Sequence, residues 1–193
     1  AGNGLNIPTP QGGFQPLTLH QPLYPLIMSF FLLFDIHPLT TSVVINIASF
    51  SLSLLIFGAG IYYFSRSIIW SVCNSLLFIA SPNLIAMYDG AMSEPLYLFL
   101  TISSFFSILL YIEKQGTYLL LLASLMAGLS ILTRYIGVAN VLCSAILIFI
   151  FMHEKPKKRI RLSITYAGLA LLPIIIWMLT GIVSANQNSR SWL

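Results

Sequence analysis

The run 117–152 constrains the fold of this chain more than any other feature, because Arg134 is its only charged residue. As a single helix the run would be about 54 Å long, far more than the roughly 30 Å of a hydrocarbon core. We therefore interpret it as a hairpin of two membrane spans, over 117–133 and 136–152, that turns near Arg134. A chain with such a hairpin is predicted to be an integral membrane protein.

The composition supports this interpretation. Only 7% of the 193 residues are charged and 58% are hydrophobic, whereas a soluble domain carries about 25% charged residues. So few charges cannot cover a surface that faces water. The composition excludes a soluble enzyme, a disordered tail and a nucleic-acid-binding domain, so no nucleic acid is expected as a partner.

The remaining apolar runs define the predicted architecture. The run 22–34 either spans the membrane, with residues 1–21 in the cytoplasm, or lies on the outer surface as a short juxtamembrane helix. As a helix it would reach only about 20 Å, and residues 1–21 contain no Lys or Arg, so we expect the surface position. Further spans are predicted over 38–64, 67–82, 95–112 and 162–183. The fold class is thus all-α, a polytopic transmembrane helical bundle of about six spans.

Three regions follow from this pattern. Residues 1–37 form an outer loop with the juxtamembrane helix, 38–183 the transmembrane helical domain, and 184–193 the start of another outer loop. Residues 1–21 are rich in Gly and Pro, and we expect them to be a loop.

Charge distribution predicts the orientation in the membrane. The loop 153–161 contains five of the nine cations and is therefore expected to be cytoplasmic. Counting spans back from it places the turn at Arg134 and the residue Glu94 on the outer side. Because the unusual polar residues converge there, the outer face is predicted to be the working face.

Glu94 allows two interpretations. In the first, it is an ordinary acidic residue at a helix start, with Ser93 as the cap, Pro95 in the first turn and the carboxylate near the positive end of the helix dipole. In the second, it is a carboxylate at the membrane boundary that holds a metal ion or a substrate hydroxyl, since acidic residues inside membrane segments mark sites.

Two other motifs are equally open. Arg134 beside Tyr135 either extends from the turn to the interface or binds an anion such as a phosphate. In the motif from His20 through Gln21 and Tyr24 to Pro25, the prolines start a helix and Tyr24 anchors it at the headgroups. Alternatively, His20 ligates a metal or contacts a lipid phosphate.

Other residues are predicted to be structural. Asp35 and His37 mark the end of the surface helix, and Asp89 occupies a turn. The small-residue pairs Ala123/Ala127, Ser124/Gly128 and Gly58/Gly60 are typical of helix-packing contacts.

The order of these motifs resembles a known family. His-Gln-Pro-Leu-Tyr-Pro at 20–25, Ser-Glu-Pro-Leu at 93–96 and Leu-Thr-Arg-Tyr-Ile-Gly at 132–137 are similar in order and spacing to those of the GT-C-fold glycosyltransferases. That group contains the protein O-mannosyltransferases and the bacterial aminoarabinose transferase. The family pattern is His-Pro-Pro-Leu, from which Gln21 departs. The resemblance covers nearly all of this chain and half or less of a family member.

The resemblance implies a multi-pass enzyme of the bacterial plasma membrane. Such an enzyme takes a sugar from a polyprenyl-phosphate carrier at the outer face, so the implied partners are this lipid-linked sugar and membrane lipid. It leaves the sugar and the acceptor unspecified. Glu94 would be the catalytic residue. Because the carrier phosphate is the leaving group, it needs a positive charge, which either Arg134 or a divalent metal ion held by Glu94 and His20 would supply. The implied substrate-binding residues are His20, Gln21, Tyr24, Arg134 and Tyr135.

The resemblance also implies that functional parts lie outside this sequence. The catalytic base of the family would precede Ala1, and the acceptor-binding domain would follow Leu193. We therefore expect the chain to be inactive alone.

Two alternatives remain. A transporter or flippase fragment would need polar groups near the bilayer centre, where the sequence has Asn46, Ser51 and Ser53, which can also be packing residues. A non-catalytic membrane scaffold would tolerate alanine at His20, Glu94 and Arg134 together.

Overall fold

A computed structural model of the chain describes residues 6–8, 14–16, 21–82 and 92–190, and side chains within 21–82 and 92–180. These parts contain seven helices and a small sheet. The helices are α1 (Leu23–Leu32), α2 (Pro38–Ser65), α3 (Ile68–Ile79), α4 (Glu94–Lys114), α5 (Thr117–Thr133), α6 (Gly137–Phe151) and α7 (Pro156–Arg190).

The stretch predicted to be a loop contains two short strands. Strand β1 (Asn6–Pro8) pairs with β2 (Phe14–Pro16) in antiparallel register, with Ile7 opposite Gln15. The sequence between the strands includes Gly12 and Gly13, residue types that favour hairpin reversals. The prediction of a loop over 1–21 was therefore wrong at these positions. A strand of three residues is too short to show a recognisable alternation of apolar and polar residues.

Three helices are long and apolar enough to cross a membrane. They are α2, α4 and the Pro156–Thr180 part of α7. The shorter apolar helices α3, α5 and α6 have 12, 17 and 15 residues, which corresponds to about 18 to 26 Å. The prediction of a bundle of apolar helices is confirmed, whereas the number of spans is not.

Most helix boundaries follow the sequence pattern. Helix α5 covers Thr117–Thr133, as predicted from its apolar run. Between α1 and α2, Asp35 adopts a left-handed φ of 57°, and the His37 side chain accepts a hydrogen bond from the Leu39 backbone N–H at 3.3 Å. These two residues therefore separate the helices, as expected.

The start of α7 differs from the prediction. The helix begins at Pro156, so much of the expected loop 153–161 is helical. Proline suits the first position of a helix because its φ is already fixed and its missing N–H is not needed there. An ion pair between Lys158 and Glu154 spans this start, and the Arg159 Nε–H donates to the Glu154 carbonyl oxygen at 2.7 Å.

Close contacts between small residues hold the central helices together. Ala123 and Ala127 of α5 are completely buried. A Cβ added to Gly128 would lie 2.9 Å from the Ala170 carbonyl oxygen of α7, so the two backbones touch. Gly60 of α2 packs equally closely against the Phe106 ring of α4. The small residues predicted to be packing contacts therefore lie at helix interfaces.

Large apolar side chains cover the outside of the bundle. Ile69 and Leu77 of α3 are 71% and 70% exposed, and Leu55 of α2 is 66% exposed. By contrast, Ser104 and Ser144 are completely buried. The interior thus mixes buried hydroxyls and small residues with large apolar side chains such as Ile108 and Ile148, and the exterior is apolar as well. An apolar exterior of this kind is typical of helices that pack in lipid.

Short connections define two ends of the bundle. We call the end with the start of α4 and the end of α5 the Glu94 end. The opposite end, with the turns at Arg66, Gln115 and 152–155, is the Lys114 end. Two residues of the Lys114 end adopt left-handed φ values, Arg66 at 54° and Gln115 at 55°.

Candidate functional site

The Glu94 end brings together residues from separate motifs. Glu94 is the first residue of α4, and Arg134 directly follows α5. Helices α4 and α5 pack side by side and are joined by the tight turn at Gln115–Gly116. In an antiparallel pair the start of one helix meets the end of the other, so this packing places Glu94 beside Arg134.

The two side chains form an ion pair. Arg134 Nη1 contacts Glu94 Oε1, and the side chains are 38% and 26% exposed, respectively. The Arg134 backbone is extended and its N–H donates to the Ser130 carbonyl oxygen at 2.9 Å. The backbone is thus fixed while the guanidinium remains accessible from outside the bundle.

The start of α4 differs from the predicted cap. Ser93 makes no side-chain hydrogen bond to the first turn, so its predicted role as a capping residue was wrong. The Ser93 backbone is already helical, with φ −83° and ψ −10°, whereas a capping side chain normally requires an extended residue. The Glu94 carboxylate still lies in the first turn of α4, at the positive end of the helix dipole.

Tyr24 lies at the same end. Helix α1 packs against α2 and α5. The Ser42 hydroxyl beside Tyr24 donates to the Leu39 carbonyl oxygen at 2.8 Å, and the buried Tyr24 hydroxyl has no hydrogen-bond partner among the described residues. Burial is the main cause that raises the pKa of the Tyr24 phenol, and the negative charge of Glu94 raises it further. The nearby Ser42 hydroxyl partly offsets this rise.

The other predicted site residues are less closely defined. Gln21 and Tyr135 are half-buried, and Tyr135 packs against the apolar core. Position His20 lies outside the described residues, as does Asp89. The structure therefore brings Tyr24, Glu94 and Arg134 to the same end of the bundle. Tyr135 directly follows Arg134 in the sequence.

The predicted metal site has few donors. Within 21–82 and 92–180, no group of three or more His, Cys, Asp and Glu side chains lies close enough to hold a metal ion. The Glu94 carboxylate is already paired with Arg134, and divalent ions usually require several oxygen or nitrogen ligands from the protein. The second predicted ligand, His20, lies outside the described residues, so the metal site stays a prediction and we derive no step through a metal.

Two residues of the site were not identified from the sequence. Thr41 and Ser42 in the first turns of α2 are buried, and the Thr41 hydroxyl has no hydrogen-bond partner in the described part of the chain. Their only sequence signal is a Thr-Thr-Ser run shortly after Pro38, which is also common at ordinary helix starts.

The Glu94 end thus combines an accessible guanidinium with a carboxylate and a free phenol. A guanidinium binds phosphate or carboxylate groups in a bidentate manner. A phenol donates one hydrogen bond, and a carboxylate accepts hydrogen bonds from hydroxyl groups. Comparisons with family models, with curated proteins and with solved structures found no match for this chain.

Proposed function

We propose that the chain is an integral membrane protein of about six spans, with α1 on the outer surface and the basic start of α7 in the cytoplasm. The directions of the helices support this topology. Helices α2 and α4 both run from the Glu94 end to the Lys114 end, so the chain between them, including α3, returns across the bundle. Helices α5 and α6 likewise lie between α4 and the oppositely directed α7.

We further propose that the Glu94 end binds the lipid-linked donor of a GT-C-type glycosyltransferase at the outer face of a bacterial plasma membrane. The observation that carries this proposal is the ion pair between Arg134 and Glu94. It holds an accessible cation at the membrane boundary, where the phosphate of a polyprenyl-phosphate sugar would lie.

The pair is suited to exchange. When the carrier phosphate arrives, Arg134 transfers its hydrogen bonds from Glu94 to the phosphate oxygens. The released Glu94 carboxylate then accepts a hydrogen bond from a sugar hydroxyl, and the Tyr24 hydroxyl donates its hydrogen bond to the phosphate. The exchanges at Arg134 and Glu94 each replace an existing polar contact, so neither charge is left unpaired.

Sugar transfer breaks the bond between the anomeric carbon and the phosphate oxygen. A new bond forms to the oxygen of an acceptor hydroxyl, which gives its proton to a general base. Negative charge develops on the departing phosphate. A fixed guanidinium stabilises this charge more in the transition state than in the bound donor. In this proposal Arg134 supplies that stabilisation.

Donor binding tests the proposal directly. The purified chain in nanodiscs is titrated with polyprenyl phosphate and with its hexose-linked form, and the Kd values of wild type, Arg134→Ala and Arg134→Lys are compared. We expect a loss of at least about tenfold for the alanine variant, the scale of one charge-assisted hydrogen bond, and a smaller loss for lysine. Arg161→Ala, in the first turns of α7, is the matched control.

Unchanged affinity in Arg134→Ala would overturn the proposal. Solute uptake into vesicles that requires Arg134 but no lipid-linked sugar would favour a transporter instead. Many buried hydroxyls along the helices, however, form hydrogen bonds within their own helices, so they do not by themselves indicate a transport path. Ser53, Ser103 and Ser107 donate to carbonyl oxygens one turn earlier in their own helices, at 2.6 to 2.7 Å. Full tolerance of alanine at Glu94 and Arg134 would favour a scaffold.

A further inference from the structure

The Lys114 end contains a groove that the proposed function does not use. It has a volume of about 830 Å³ and lies between the ends of α2, α4 and α6. Its walls include Phe64, Leu109, Leu147 and Phe151, and its rim carries Arg66, Glu113 and His153. Phe64 and Phe151 are 45% and 56% exposed, so the apolar wall is open to the surroundings.

Two cations meet at one aromatic ring beside this groove. The Arg66 guanidinium carbon lies 4.9 Å from the centre of the Tyr63 ring, and Lys114 Nζ lies 5.0 Å from it. Cation–π contacts at such distances hold a charged group in place while leaving its outer hydrogen-bond donors free. The Tyr63 hydroxyl donates to Glu113 Oε1 at 3.2 Å, which fixes the ring.

These cations form no ion pair within the described residues, although the Glu113 carboxylate lies at the same ring. Across the described ranges of the chain, ion pairs join Glu94 to Arg134 and Glu154 to Lys158, and neither Arg66 nor Lys114 forms one. Lys114 also lines a smaller pocket of about 280 Å³, which shares Tyr63 and Phe64 with the groove. Apolar space therefore continues directly beneath the charged rim.

This arrangement defines the chemistry of a ligand. An apolar groove with a cationic rim matches an amphiphile with an anionic headgroup. A soluble anion would leave the apolar walls uncovered. Arg66 and Lys114 outnumber the single carboxylate of Glu113 at this rim, so a zwitterionic lipid would leave the excess positive charge unneutralised. Basic residues at the cytoplasmic surface attract anionic lipids, each with a contribution of a few-fold in affinity, and basic pockets between helices bind their headgroups.

We propose that the groove at the Lys114 end binds one anionic glycerophospholipid, with its phosphate at Arg66 and Lys114 and an acyl chain against Leu109, Leu147 and Phe151. The lipid comes from the leaflet that faces this end. The proposal is independent of donor binding at the Glu94 end, because none of these residues belongs to that site.

Lipid binding to the purified chain tests the proposal. The protein in mild detergent is titrated with phosphatidylglycerol or with phosphatidylcholine, and native mass spectrometry counts the lipids bound. We expect one phosphatidylglycerol to bind more tightly than phosphatidylcholine. In the double variant Arg66→Gln/Lys114→Gln its Kd should rise about 30-fold, the expected effect of removing two basic residues near the headgroup.

Two further variants separate the groove from general surface charge. Lys157→Gln/Arg161→Gln removes the same charge from the exposed start of α7 and should leave the phosphatidylglycerol affinity unchanged. Leu147→Trp fills the groove without altering charge and should weaken binding. Unfolding midpoints and circular dichroism confirm that each variant is folded.

Several outcomes would overturn the proposal. They are equal affinity for both lipids, an equal loss in the Lys157/Arg161 control, or unchanged binding in Leu147→Trp. Displacement of the lipid by soluble glycerol phosphate at similar concentration would show that the acyl chain is not recognised. A change in oligomeric mass in the groove variants would instead identify a second copy of the chain as the occupant.

Discussion

The Tyr24 hydroxyl of α1 lies within the electrostatic field of the Glu94 carboxylate at the start of α4. Burial and this negative charge both favour the neutral phenol, so the pKa of Tyr24 is raised above its ordinary value of 10.0. The relationship links the surface helix to the proposed phosphate site, and it can be measured without any knowledge of the substrate.

We predict that Glu94→Gln lowers the pKa of Tyr24, although burial should keep it above the ordinary value. The measurement is a tyrosine absorbance titration, with Tyr24→Phe subtracted to isolate this residue. Because the folded protein holds the phenolic proton more tightly than the unfolded chain, this contribution to the free energy of unfolding is complete well below pH 10 and declines as pH rises above it. An identical Tyr24 midpoint in wild type and Glu94→Gln would contradict the assignment.

The ion pair between Glu94 and Arg134 should contribute modestly to stability. Both side chains are partly exposed, so solvent screens their attraction, and we expect a coupling free energy of at most about 1 kcal/mol. A double-mutant cycle with Glu94→Gln and Arg134→Gln, measured by unfolding in mixed micelles, isolates this term. The coupling should decrease in high salt; additive single-variant effects would mean that the pair does not form in the folded protein.

Gly128 offers a test of the contact between α5 and α7. A Cβ at this position would lie 2.9 Å from the Ala170 carbonyl oxygen and 3.1 Å from Pro173 Cγ. We expect Gly128→Val to reduce the free energy of unfolding by about 1–3 kcal/mol, as overpacking does. Gly168→Ala is the matched control on α7, since a Cβ there has no neighbour within 4 Å. Equal stability of the two variants would refute this contact.

Ser104 should matter more than its neighbour Ser107. The Ser104 hydroxyl donates to the Ala123 carbonyl oxygen of α5 at 3.1 Å and lies 3.4 Å from the Tyr166 hydroxyl of α7. The Ser107 hydroxyl bonds only within α4, to the Ser103 carbonyl oxygen. We expect Ser104→Ala to cost about 0.6 kcal/mol or more, a typical interhelical value, and Ser107→Ala to cost less. The reverse order would argue against Ser104 as a link among three helices.

At the start of α7, the pKa of Glu154 lies below its ordinary value, mainly because Lys158 donates a hydrogen bond to its carboxylate. We predict that Lys158→Ala raises the pKa of Glu154 and that Lys157→Ala does not. Carboxyl chemical shifts of labelled protein would follow the titration. Because this pKa is lowered on folding, the stabilising contribution is present above the unfolded value of 4.5 and is lost as pH falls through the folded value.

Apolar run length was sufficient to predict most helices. The boundaries of α5 matched its run because a Gly precedes it and Arg134 follows it. The start of α7 was missed because its first turns are strongly basic, and hydropathy cannot distinguish a charged loop from a charged helix end. Helix propensity could have done so, since Lys and Arg are good helix formers and Pro156 suits a first turn.

The tertiary arrangement was less predictable than the helices. Glu94 and Arg134 were each identified from the sequence, but their contact depends on how α4 packs against α5. No role was predicted for Tyr63 from the sequence. Its importance depends on Arg66 and Lys114, which α2 and α4 bring to the same ring. Contacts between side chains that are distant in sequence require a specific helix pairing, and one sequence does not specify that pairing.

Helix α3 has a physical consequence for the surrounding membrane. It is 12 residues long and none of its side chains is buried, so its face away from α2 is open along its whole length and carries large apolar side chains such as Ile69 and Leu77. A helix of about 18 Å is shorter than the hydrocarbon thickness of about 30 Å. In the proposed six-span topology, lipids beside α3 would compress and tilt to match it, and this local thinning would favour association of another short helix along the same edge.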